Sequence, residues 1–170
     1  FVESLDDGHH LQVVLVPPTL PVDPLPRELI LVIDNSGSMQ GASMQQAIAA
    51  LDDALSRLRE DDMFNVVRFN HTAEALFPQA VEASPGNVAR ARSFVARLRA
   101  QGGTELLGAL ELAFRGSPSE GMLRQVVLAT DAAVGNERAL FSMIEHERGD
   151  ARVFPVGIGS APNGYFLRRA

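Results

Sequence analysis

The sequence predicts an α/β fold: a doubly wound, mostly parallel central sheet with one short antiparallel edge strand and helices on both faces. Three observations carry that expectation. Residues 29–33, Leu-Ile-Leu-Val-Ile, are an uninterrupted apolar run, the pattern of a strand buried on both faces. Similar runs recur at 63–69, 124–130 and 151–158. Between them lie segments with apolar residues at helical spacing, and strands alternating with helices of that length imply parallel pairing with both faces covered.

Taken in order, residues 1–26 differ from the rest. Residues 10–16 have strand character, and the following Pro-Pro-Thr-Leu-Pro-Val-Asp-Pro-Leu-Pro places five prolines in ten residues. Such a segment continues neither a helix nor a central strand and favours extended backbone. We read 1–26 as an upstream strand and proline-rich linker, and 27–170 as the domain.

Residues 43–58 carry Met44, Ile48, Leu51, Leu55 and Leu58 at helical spacing. Residues 63–69 follow as a strand, and 73–77 can pair with it across a short turn at Asn70-His71, forming the antiparallel edge. Ser84-Pro85 opens a helix, Ser84 as N-cap and Pro85 in the first position. Gln101-Gly102-Gly103 breaks it, and Thr104 starts the next helix, 105–114. A strand at 124–130, a helix at 137–147, a strand at 151–158 and a last helix from Tyr165 complete the pattern.

Composition limits the function. The 170 residues suit one core, 46% are hydrophobic, and the formal charge is −6. An acidic chain argues against a nucleic-acid surface. No apolar run reaches the roughly 18 residues of a membrane span, so direct membrane insertion is not expected. All 15 basic residues are Arg; Arg90, Arg92, Arg97 and Arg99 come nearest to a cluster, and we expect a solvated helix face. With no Cys there are no disulfides, thiolate sites or Cys nucleophiles. The chain lacks an initiating Met and stops inside the expected last helix, so we expect a piece of a longer protein.

The candidate chemistry sits where the first buried run stops. Asp34 ends it, and Ser36 and Ser38 follow with Gly37 between them. This places hard oxygen donors at the carboxyl end of a central strand, where open α/β sheets bind ligands. Such donors suit Mg²⁺, Ca²⁺ or Mn²⁺. Taken alone, Asp34 and Ser36 also read as a helix cap with a turn, and Thr104 as the N-cap of its helix.

Asp34-Asn35-Ser36-Gly37-Ser38 resembles the D-x-S-x-S signature that opens the metal-ion-dependent adhesion site of von Willebrand factor A (VWA) domains. Thr104 after Gly102-Gly103 stands where that family has a loop threonine. Asp131, after the strand run, stands where it has a strand-terminal aspartate. The strand and proline-rich approach is similar to that of the inter-α-trypsin-inhibitor heavy-chain type.

The resemblance implies the Rossmann-like VWA fold and a metal set of Asp34, Ser36, Ser38, Thr104 and Asp131. It implies bound Mg²⁺, with Mn²⁺ or Ca²⁺ as alternatives, and a protein partner presenting an Asp or Glu. It also implies an extracytoplasmic setting and a last helix that shifts when a ligand engages. One departure stands out: Ala132 replaces the usual glycine after the last aspartate. The competing expectations are a structural domain of a larger exported or surface protein, with the ion only stabilising loops, and a Mg²⁺-dependent phosphatase. The phosphatase lacks its second acid, because Ser36 occupies that place; we expect no enzyme. His9, His10, His71 and His146 show no ligand spacing, Asp61-Asp62 reads as a solvated loop pair, and Met39 and Met44 as core.

Overall fold

The computed structural model describes residues 2–5, 8–11, 25–131, 137–159 and 164. A small antiparallel hairpin pairs β1 (Val2–Leu5) with β2 (Gly8–Leu11). The expected strand at 10–16 overlaps the second arm of this hairpin at residues 10 and 11; residues 12–24 lie outside the described residues.

The domain follows as β3 (Arg27–Asp34), a 3-10 turn (Gly37–Met39), α1 (Ala42–Ser56), β4 (Met63–Phe69) and β5 (Ala73–Ala75). Then come β6 (Val81–Glu82), α2 (Pro85–Ala96), α3 (Leu106–Phe114), β7 (Leu123–Thr130), α4 (Glu137–Glu147) and β8 (Arg152–Gly157). The expected helix from Tyr165, and Ala132, lie outside the described residues. Ser84 caps α2 as expected, its hydroxyl accepting from the Asn87 N–H at 3.4 Å, with Pro85 in the first turn.

The sheet order is β5-β4-β3-β7-β8, with β6 paired to β4. β3 runs parallel to both β4 and β7, β7 parallel to β8, and only β5 and β6 are antiparallel, against β4. This is the expected mostly parallel sheet with its antiparallel edge. The two-residue β6 was not anticipated, being too short to show a period.

Alternation along β3 builds both cores. Leu29, Leu31 and Ile33 meet Met44, Leu51 and Leu55 of α1 and Val95 of α2. Ile30 and Val32 face Leu106 and Leu110 of α3, with Leu140 and Ile144 of α4. Because one strand supplies both layers, it has no polar face, which is why it reads as a continuous apolar run. The last strand behaves differently. β8 is an edge, and Phe154 and Val156 remain 43% and 41% exposed.

At the amino ends of β3 and β7, Glu28 and Arg124 form a buried pair at 2.7 Å. Arg124 Nη1 also donates to the carbonyls of Phe114, Arg115 and Gly116, fastening the end of α3 to the sheet. One expectation fails nearby. Asp61 is exposed, but Asp62 is buried, receiving the Arg59 backbone N–H at 3.0 Å and Arg27 Nε at 3.3 Å. Its chain neighbours gave no sign of this, because Arg27 approaches from β3.

Candidate metal centre

From β3 the chain moves to β4 on one side and later to β7 on the other, so the order reverses beside the carboxyl end of β3. Ligands of open α/β sheets bind at such a reversal. Asp34 lies there, fully buried, with the end of β7 alongside.

The Asp34 carboxylate organises the turn that follows. Oδ1 accepts from the Ser36 N–H at 2.8 Å, and Oδ2 from the Thr130 hydroxyl at 2.7 Å. The first bond is an Asx-type turn, which leads directly into Ser36 and Ser38. Their hydroxyl oxygens stand 3.0 Å apart. The capping alternative does not account for them: Ser36 makes no side-chain cap bond to the 3-10 turn, and α1 starts behind Gly41.

Burial pushes the Asp34 carboxyl above the ordinary carboxylate range; the bonds from Ser36 and Thr130 pull it back, and the neighbouring Asp131 charge pushes it up again. Asp34 has no cationic partner among the described residues. A buried carboxylate facing a second acid is the electrostatic setting that a cation relieves.

Backbone bonds tie the Thr104 loop to this turn. Asn35 is the clamp: its N–H donates to Phe69 O at 2.8 Å, its carbonyl accepts from the Gln101 N–H at 2.9 Å, and Nδ2 donates to Arg99 O at 3.0 Å. The Gly37 N–H donates to Gly102 O at 3.0 Å, and the Glu105 N–H to Asn70 O. The segment 101–105 is thus held at both ends, by residues 35–37 and by residue 70.

Thr104 is half-buried in that segment, and α3 takes Glu105, with no side-chain cap bond, as its N-cap. Capping does not explain Thr104. Asp131, half-buried, follows the last residue of β7.

Sequence reading passed over Asn35 as a variable position, His71 as a surface residue, and Thr130. His71 is exposed, but its ring covers the loop: a Cβ at Gly102 would lie 2.5 Å from its Nδ1. Gly102 also has φ +76°, and it is this backbone conformation that calls for glycine, since the exposed imidazole can turn aside. The Gly102-Gly103 pair was the available signal; nothing in sequence pointed to its partner. Met39 and Met44 are core residues, as expected.

The von Willebrand factor type A domain model matches residues 27–169. The chain belongs to the von Willebrand factor type A domain family. Human inter-alpha-trypsin inhibitor heavy chain H4 is 34% identical over 85% of this VWA chain, and human von Willebrand factor A domain-containing protein 5B1 is 32% identical over 91%. The chain spans 17% and 13% of those two proteins. Among solved structures, the von Willebrand factor type A protein from Catenulispora acidiphila superposes with a TM-score of 0.75. It is 28% identical, over 85% of this chain and 36% of that one. The manganese-loaded Plasmodium vivax TRAP protein superposes with a TM-score of 0.68 at 21% identity, over 84% of this chain and 61% of its own. At that identity the likeness is one of fold.

The donor set fits a hard divalent ion. Two oxygens at right angles on an ion with bonds of ~2.1 Å stand about 3 Å apart, which is the Ser36–Ser38 spacing. The available donors, two hydroxyls, a loop threonine and two carboxylates, are all oxygen.

Proposed function

We propose that this VWA domain is a divalent-cation-dependent protein-binding module. In this reading Asp34, Ser36, Ser38, Thr104 and Asp131 hold Mg²⁺, with Mn²⁺ or Ca²⁺ as substitutes. The bound ion would supply an electrophilic position for a carboxylate of a partner's Asp or Glu. The observation that carries the reading is the 3.0 Å pair of hydroxyls beside a buried carboxylate that has no cationic partner among the described residues.

The chain's own residues set the selectivity. Ser36, Ser38 and Thr104 would contribute neutral oxygens directly and Asp34 and Asp131 would act mostly through water, so the ion would keep unneutralised charge for a partner's carboxylate. Thr130 and the Ser36 N–H hold Asp34 in one orientation, and Asn35 holds the loops in register. We read the role as binding rather than catalysis, because Ser36 stands where a phosphatase would need its second acid. An extracytoplasmic setting suits it, with 1–26 as the approach to the domain and 27–170 as the domain within a longer protein.

Calorimetric titration with Mg²⁺, Mn²⁺ and Ca²⁺ tests the site. Wild type should bind and Asp34→Ala should not; equal binding by both removes the assignment. An immobilised Asp-containing peptide and its Asn counterpart test the capture. Retention of the Asp form alone, lost in EDTA, is the expected result. Metal binding without peptide retention would leave an ion that only stabilises the loops.

A further inference from the structure

The seam between α1 and α2 is left open beside the proposed metal centre. A hollow of about 330 Å³ lies between Gln40 to Ile48 on one side and Leu98 to Ala100 on the other. A second, of about 340 Å³, extends past Ala49 to Asp52 and Arg92. Both are bounded by Gln45 and Ile48, so they form one groove running away from the metal loop. Its floor is apolar, with Met44 and Leu98 buried and Ile48 half-buried.

Of the charged residues lining the groove, Asp52 and Arg92 balance each other and Arg99 is left, on an acidic molecule. From residue 83 to 104 there are four arginines and no acid, in a chain of net charge −6. Three of the four are engaged: Arg92 pairs with both oxygens of Asp52 at 2.6 and 2.8 Å, Arg90 lies 5.0 Å over the Phe77 ring, and Arg99 Nη1 donates to the carbonyls of Leu98 at 2.8 Å and Ala96 at 3.4 Å. Arg97 and Arg99 are exposed, and neither has a carboxylate partner among the described residues. Arg99 lines the metal end of the groove, where its carbonyl receives Asn35 Nδ2 from between Asp34 and Ser36, and Arg97 lies two residues before it, just past the end of α2.

We propose that the partner enters this groove as an acidic peptide segment. One carboxylate goes to the metal position, a neighbouring apolar side chain rests on Met44, Ile48 and Leu98, and a second carboxylate meets Arg97 and Arg99. The proposal rests on the cation-dependent reading and adds a direction and a second recognition point. A guanidinium fork suits a carboxylate, and a local positive charge on a negative surface orients an incoming acidic chain. At the far end the Asp52–Arg92 pair is already balanced, so the segment recognised is short.

The test is a methyl and amide NMR titration of the whole chain in Mg²⁺ and in EDTA, with three probes. They are N-acetyl-Asp amide, N-acetyl-Asp-Gly-Leu-Glu amide, and the same tetrapeptide ending in Lys. The Glu peptide should bind roughly fivefold more tightly than the Lys peptide, the scale of an exposed ion pair. It alone should shift Met44, Ile48 and Leu98 signals strongly. Arg97→Ala/Arg99→Ala should remove that advantage while leaving N-acetyl-Asp amide binding unchanged. If both tetrapeptides bind no better than N-acetyl-Asp amide, and the groove signals stay still, the groove assignment is overturned while the metal reading stands. If no probe binds in Mg²⁺, both fall.

Discussion

Asp34 combines two opposing requirements, and its substitution separates them. Its carboxyl titrates above the ordinary range because it is buried beside Asp131. Without metal, the folded state therefore holds a proton more tightly than the unfolded chain, and stability falls as pH rises from about 3.8 through the folded value. Asp34→Asn keeps partners for the Ser36 N–H and the Thr130 hydroxyl but carries no charge. In EDTA at pH 7 it should be as stable as wild type or more so, by about 1 kcal/mol. That advantage should vanish in acid. In Mg²⁺ only wild type should gain stability, which thermal denaturation in the two buffers would read.

Asp62 shows the opposite sign. Burial alone would raise its pKa, but the Arg59 N–H, the Arg27 charge and their side-chain bonds outweigh it and bring the pKa below the ordinary value. Its contribution is present above about pH 3.8 and is lost as pH falls through the lower folded value. Asp62→Asn should cost about 2 kcal/mol at pH 7, the scale of hydrogen bonds to a charged group. The difference from wild type should close in acid, as measured by urea unfolding across pH.

Among elements, the decisive one is the loop between α2 and α3. Its glycines were legible as a break, but what faces Gly102 was not, because His71 comes from the turn after β4. Gly102→Ala should cost about 1–2 kcal/mol, chiefly from its φ of +76° and in lesser part from the collision with the imidazole. His71→Ala should recover only the collision part, and a double-mutant cycle by chemical denaturation would separate the two. At the opposite end of the sheet, Arg124→Met leaves Glu28 buried and unpaired, for a predicted loss of about 3–5 kcal/mol. Adding Glu28→Leu should restore part of it. Recovery should be incomplete, because Arg124 also satisfies three carbonyls at the end of α3.

For the molecule as a whole, the proposed centre links metal to fold, since its residues come from three separate loops. An ion that binds only the folded chain should add about 2.7 kcal/mol at a hundredfold excess over its Kd. That corresponds to a rise in Tm of roughly 5–10 °C at this size. Titrating MgCl2 during differential scanning calorimetry would show it, and a Tm indifferent to Mg²⁺ would contradict the proposed centre.

By itself the sequence determined the order and type of the main elements from β3 to β8, β6 excepted, and the two-sided burial of β3, and it set Asp34, Ser36 and Ser38 at the carboxyl end of that strand. Those features depend on neighbours a few residues apart, through periodicity, turn geometry and capping. Motif likeness extended the set to Thr104 and Asp131. Only the tertiary structure decided that Asn35 ties 99–101 to the turn after β3, that Thr130 braces Asp34, that His71 roofs Gly102, and that Asp62 is buried. Each of these is a contact between residues 31 to 96 positions apart, or a burial produced by one. Such contacts arise from strand register and crossover direction, which no local pattern in the chain encodes.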